Sequence, residues 1–155
     1  MTNVFAPHAD RFEELPAEVV ERWAEFGNWG DEVFFPKHVG LVLEELRFDY
    51  ARMRLPWVPH VAQPAGVAHG GAIATLIDTV VVPAIATSYD DATLMSTISM
   101  NVQYLGPVMG TDAVAEGWVE RRGRSIVFCR VEVRAGEGEL VATGTLVYKV
   151  STPRS

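Results

Sequence analysis

Only one cysteine, Cys129, occurs in the 155-residue chain. No intramolecular disulfide can therefore form, and the chain fits a reducing compartment. No apolar run reaches the roughly 20 residues that a membrane helix needs. The first ten residues show no basic start followed by an apolar stretch, so no signal peptide is expected. These absences predict a cytoplasmic protein with no membrane partner. Positive charge is also scarce. A net charge of -7 at pH 7 leaves no basic surface with which to grip nucleic acid. Internal repeats, linkers and low-complexity tracts are absent, and the length suits a single domain.

What is present is globular in character, with 48% hydrophobic and 21% charged residues. From Pro16 to Phe26 the pattern predicts a helix with Val19, Val20, Trp23 and Phe26 on one face, ending at Gly27. An irregular stretch to Lys37 offers Trp29, Phe34 and Phe35 for packing. Leu41 to Leu55 reads as one or two strands, with no glycine to mark a hairpin. Pro56 to Gly71 holds three prolines and three glycines and reads as a loop. Ala72 to Thr87 is then almost wholly apolar, which predicts a helix buried all round, with Pro83 expected to kink it. Strands follow at Leu94 to Leu105, Asp112 to Arg121, Ser125 to Arg134 and Leu140 to Val150. In the first of these, Leu94, Ile98, Met100, Val102 and Tyr104 are expected on one face. The last three form an antiparallel meander, and one buried helix against one such sheet is an α+β arrangement.

Asp78 is the one ionisable residue in the buried helix. A carboxylate there loses solvation unless it finds partners, and buried acids gather at functional sites. His69-Gly70-Gly71 opens the same helix. The first N–H groups of a helix have no internal partner, and glycine lets another group approach them, which suits a carbonyl oxygen becoming an oxyanion. A tight turn explains a Gly-Gly pair as readily, and a lone histidine is most often structural. Asp78 lies about 12 Å along the helix from Gly70, so one carbonyl cannot touch both within a single chain. Two antiparallel copies of the helix can bring Asp78 of one beside Gly70 of the other, which predicts at least a dimer if both groups act.

The run Gly66-Val67-Ala68-His69-Gly70-Gly71-Ala72-Ile73-Ala74-Thr75-Leu76-Ile77-Asp78-Thr79 resembles the signature of hotdog-fold thioesterases related to the phenylacetate-pathway enzyme, within the 4-hydroxybenzoyl-CoA thioesterase superfamily. Ser99-Met100-Asn101-Val102-Gln103-Tyr104-Leu105-Gly106-Pro107 and Gly123-Arg124-Ser125, followed by Val131-Glu132-Val133, resemble it too. The likeness runs from Gly40 to Val150. It leaves residues 1–39 as an N-terminal helical extension and 151–155 as a tail.

The resemblance implies a hotdog fold, a curved antiparallel sheet wrapped around a long helix, in a homodimer or a dimer of dimers. It implies hydrolysis of an acyl-CoA thioester with no metal and no cofactor. Carried over by position, Asp78 activates water or attacks the thioester, and Gly70 supplies the N–H for the carbonyl oxygen. Gln63 stands where the family has Asn or Gln, Thr97 where some members have a water-orienting Ser, and His69 and Gly71 complete the motif. Gln63 is longer than Asn, and Pro83 is a departure one turn after Asp78. Arg121, Arg122 and Arg124 cluster at one turn and are candidates for the CoA phosphates, although such a turn is usually just solvated. Cys129 reads as core. Aromatic and medium-chain acyl-CoA are both compatible. A non-catalytic acyl-CoA binder is the alternative, and hydratase or dehydratase chemistry a weaker one, since the surroundings those groups expect around His60 and His69 are missing.

Overall fold

A computed structural model describes residues 4–27, 31–89 and 93–151; Trp29 and most of the tail lie outside them. Two short helices come first, α1 (Ala17–Arg22) and α2 (Phe35–Val39). The hairpin β1 (Val42–Arg47) and β2 (Tyr50–Leu55) follows, and then the long helix α3 (Gly70–Ala86). Strands β3 (Leu94–Tyr104), β4 (Ala113–Arg122), β5 (Ile126–Ala135) and β6 (Glu139–Ser151) complete the chain. All six strands form one antiparallel sheet in the order β1-β2-β4-β5-β6-β3. The β4-β5-β6 meander is its centre, and β1 and β3 are its edges.

Helix α3 lies across the sheet, and Leu76, Ile77, Val80, Val81, Ala84 and Ile85 are fully enclosed. Each large aliphatic side chain buried in this way contributes roughly 1.5–3 kcal/mol. Two strand glycines let the helix sit this close. A Cβ at Gly144 would lie 2.5 Å from Cγ2 of Ile77, and one at Gly117 would lie 2.7 Å from Cγ1 of Val80. Pro83 is buried inside α3 without ending it.

The first helix is shorter than its pattern predicts. After Arg22 the chain tightens through i→i+3 bonds, Ala24 N–H to Glu21 O at 3.1 Å and Phe26 N–H to Trp23 O at 3.0 Å. Phe26 is buried, whereas Val20 faces solvent. The supposedly irregular stretch ends in α2, with Pro36 in its first turn and Gly40 in the left-handed conformation at φ 91. The β1–β2 hairpin turns without glycine because Asp49 takes φ 60, which a short polar side chain tolerates.

The opposite face of the sheet is covered near β2 and β4 by the N-terminal segment. Ala6, Ala9 and Phe12 pack on Tyr50 and Trp118 there. Beneath them the buried Glu116 accepts hydrogen bonds from Tyr50 Oη at 2.9 Å and His8 N–H at 3.1 Å. Burial pushes the Glu116 carboxyl above the usual carboxylate range, despite the bonds from His8 and Tyr50 that oppose it.

Candidate active site

Asp78 sits at mid-length on α3, half-buried, where the helix passes under the β3–β6 end of the sheet. Its Oδ1 accepts two hydrogen bonds, from Thr97 Oγ1 on β3 at 2.9 Å and from Tyr148 Oη on β6 at 2.7 Å. Tyr148 Oη is also 2.7 Å from the Asp78 carbonyl oxygen. Both side-chain bonds go to one oxygen, so Oδ2 has no protein partner among the described residues. Burial, reinforced by the Asp78 carboxylate, pushes the Tyr148 hydroxyl above the usual tyrosine range, so it stays protonated as a donor. The arrangement fixes a carboxylate by one oxygen and presents the other, which is what a general base or nucleophile needs.

Thr97 reaches Asp78 because of a β-bulge. Pairing of β3 with β6 shifts between Thr97 and Ser99, so Ile98 is the extra residue. Met95 and Thr97 before it therefore share the helix-facing side with Met100, Val102 and Tyr104 after it. Leu94 and Ile98, expected on that face, are instead 62% and 55% exposed.

The helix start forms a second cluster. His69 is the N-cap, and its Nδ1 accepts from the Gly71 N–H at 2.9 Å. That amide is thus committed to the cap. The Gly70 N–H has no protein partner among the described residues, and its carbonyl accepts from Tyr104 Oη at 2.8 Å. Gln63 and Gly70 line a cavity of about 280 Å³ together with Tyr104, Pro107 and Val108. Gln63 is held at its rim by a turn in which its N–H donates to Val67 O at 2.8 Å. Asp78 with Thr97, and Gly70 with Gln63, are therefore two separate groups in one chain, about two helical turns apart.

The three arginines do not converge. Arg122 turns inward, pairs with Asp49, donates to Ile85 O at 3.3 Å and stacks its guanidinium over Tyr89. A second bulge explains this. Pairing of β4 with β5 shifts between Val119 and Arg121, which turns Arg122 rather than Arg121 to the helix side. Arg121 and Arg124 stay exposed at the turn. Burial pushes the Cys129 thiol up to about 12, so it is no nucleophile at neutral pH. His38, His60 and His69 line one further cavity of about 550 Å³. Among the described residues, however, no group of three or more His, Cys, Asp or Glu is spaced to hold a metal ion.

Tyr148 and Tyr104 are the two site residues that sequence reasoning missed. Each lies in a strand whose alternation was legible, but only the fold shows that its hydroxyl meets α3.

A model of the thioesterase superfamily matches residues 65–142, half of the chain, and spans the helix motif and strands β3 to β5. The chain belongs to the thioesterase superfamily. The chemistry of that family is thioester hydrolysis. Among solved structures, a conserved Pseudomonas aeruginosa protein is 28% identical, with a TM-score of 0.71 over 75% of this chain and 92% of its own. A variant of the phenylacetic acid degradation protein PaaI of Thermus thermophilus is 26% identical, with a TM-score of 0.68 over 74% of this chain and 96% of its own. A Haemophilus influenzae thioesterase is 20% identical and shares the fold, with a TM-score of 0.77 over 91% of this chain and 94% of its own. These neighbours are hotdog folds, as the six-stranded sheet around α3 is here. No helix among the described residues is long and apolar enough to cross a membrane.

Proposed function

We propose that this superfamily member hydrolyses acyl-CoA thioesters in a site shared by two copies of the chain. The observation that carries the reading is the Asp78 carboxylate, tied by Oδ1 to Thr97 and Tyr148, with Oδ2 left without a protein partner among the described residues. In the water-activation route, Oδ2 takes a proton from water as the oxygen bonds to the thioester carbon. The carbonyl π electrons move to oxygen, where the Gly70 N–H receives the charge. Collapse of that intermediate breaks the C–S bond, and the CoA thiolate leaves and takes the proton. Direct attack by Oδ2 is the competing route and uses the same groups.

The edge strand supports the sharing. Thr97 marks Asp78 on β3 and Tyr104 marks Gly70, and both face α3. An antiparallel pairing of β3 with its copy, about a dyad at Asn101 and with Ile98 as the extra residue, sets Thr97 beside Tyr104 of the partner subunit. Asp78 then stands beside Gly70 of the partner subunit, and two equivalent sites result. Both faces of this edge carry uncovered apolar side chains, with Leu94, Ile98 and Tyr104 on β3 and Leu105 just after it all more than half exposed. Such an edge is a liability unless paired. Arg121 and Arg124 are the exposed cations left for the CoA phosphates.

The test is thiol release from a panel of acyl-CoAs by wild type and Asp78→Asn in parallel. Asp78→Asn is expected to lose at least about 100-fold in kcat. Retained activity removes Asp78 from the mechanism, and tight binding without turnover in wild type makes the chain an acyl-CoA binder.

A further inference from the structure

A cavity of about 590 Å³ lies beyond Asp78, between the N-terminal segment and the second half of α3. Its walls include Leu15, Val19 and Trp23 from that segment, and Val82, Ala86 and Met95 from the hotdog core. Two of these stand one structural step from the Asp78 cluster. Val82 follows Asp78 by four residues, on the same helix face and about 6 Å along the axis. Met95 precedes Thr97 by two residues, on the same face of β3 and about 7 Å away. The cavity therefore lies one step further along α3 and β3 than the residues that carry Asp78 and Thr97. An acyl chain whose carbonyl is at Asp78 would reach it by extending past Val82 and Met95. Its far wall comes from residues outside the 65–142 segment that the superfamily model matches.

Size and lining select the acyl class. An apolar cavity of about 150 Å³ suffices for a benzene ring. A single-ring acyl group would leave most of this wall untouched, while the volume falls within the range of about 300–1,000 Å³ typical of ligand sites. The six residues named above are apolar and make up most of the wall; Thr87, Tyr89, Thr93 and the exposed Arg22 supply its polar part. Trp23 is braced by Phe26, with ring centroids 5.7 Å apart, so it presents a fixed surface rather than a floppy one. We infer that the N-terminal segment closes an acyl pocket that favours medium- to long-chain aliphatic acyl-CoA over single-ring aromatic acyl-CoA, with Val19 and Trp23 setting the chain length. The inference rests on the thioesterase reading above.

Specificity constants for butanoyl-, decanoyl-, hexadecanoyl- and phenylacetyl-CoA test it in wild type, Val19→Trp and Trp23→Ala. Wild type should favour decanoyl- over phenylacetyl-CoA at least 10-fold. Val19→Trp fills the cavity and should lower the decanoyl to butanoyl ratio at least 10-fold. Trp23→Ala opens it and should raise the hexadecanoyl to decanoyl ratio at least 5-fold. Partial misfolding scales all substrates alike and cancels in these ratios. Ratios within 2-fold of wild type in both variants, or a wild-type preference for phenylacetyl-CoA, overturn the inference. If wild type hydrolyses none of the four, the thioesterase reading fails, and the pocket is judged by binding of a fluorescent conjugated polyene fatty acid. Binding that Val19→Trp weakens at least 10-fold upholds the pocket; no binding, or equal binding, overturns it.

Discussion

Tyr148→Phe removes one hydroxyl from the candidate site and leaves the ring that fills the space beneath α3. Tyr148 is only 3% exposed, so the ring still packs and the fold should persist. What disappears is the 2.7 Å bond to Asp78 Oδ1 and the companion contact to the Asp78 carbonyl. A hydrogen bond to a charged group is worth about 1.5–3 kcal/mol. Thr97 still holds Oδ1 and water can reach the half-buried carboxylate, so the lower half of that range applies. With about 1.4 kcal/mol per factor of ten, kcat should fall roughly 10- to 40-fold while KM stays within about 2-fold. The loss acts through the orientation of Asp78, so it should vanish in the Asp78→Asn background. The assay is thiol release by all four members of that double-mutant cycle. An equal loss in both backgrounds, or a KM effect without a kcat effect, would refute a positioning role for Tyr148.

Three further outcomes follow from the same contacts. Asp78→Asn and Gly70→Val, each expected to be impaired alone, should recover about a quarter of wild-type activity when mixed and allowed to exchange subunits, because each mixed dimer carries one intact site; verified mixed dimers that stay inactive would rule out sharing. Gly144→Ala puts a Cβ 2.5 Å from Ile77 and should cost roughly 1–3 kcal/mol in urea unfolding; an unchanged midpoint would mean that α3 does not press on β6 as described. Glu116 titrates above its unfolded value, so its contribution to stability is full below the ordinary carboxylate range and is lost as pH rises through the folded value. Glu116→Gln should therefore gain in Tm relative to wild type as pH goes from about 4 to 8, and a difference independent of pH would contradict the burial argument.

The helix and the meander were legible because their signals are local. Ala72 to Thr87 has no polar face apart from Asp78, β5 and β6 alternate, and short turns set off β4, β5 and β6 from one another. Asp78 and the His69-Gly70-Gly71 start were legible for the same reason, since a lone acid and a glycine pair stand out within one window. Tyr148 was not. It occupies an inward position of β6 as any core residue would, and its polar end matters only because α3 crosses there. The Glu116, Tyr50 and His8 cluster was equally hidden, because it joins β4 to β2 and to a segment more than 100 residues earlier in sequence. Arg122 illustrates the opposite error. Three arginines near a glycine read as a solvated or phosphate-binding turn, yet one of them ties the β1–β2 hairpin tip to the end of α3.

Two single-residue bulges separate the pattern from the site. Side chains alternate with period two, so one extra residue exchanges the faces of everything on one side of it. At Ile98 this brings Thr97 onto the face that also carries Met100, Val102 and Tyr104, so one strand meets Asp78 at one end and Gly70 at the other. A regular β3 with Met100, Val102 and Tyr104 toward the helix would point Thr97 away from Asp78. At Glu120 the same device commits Arg122 to the interior and leaves Arg121 outside. Neither bulge has a glycine or proline to announce it, and the residues on either side are ordinary strand formers. The site is thus specified by register, which long-range pairing sets. The residue types in each window supply the parts, and the two bulges decide which of them meet.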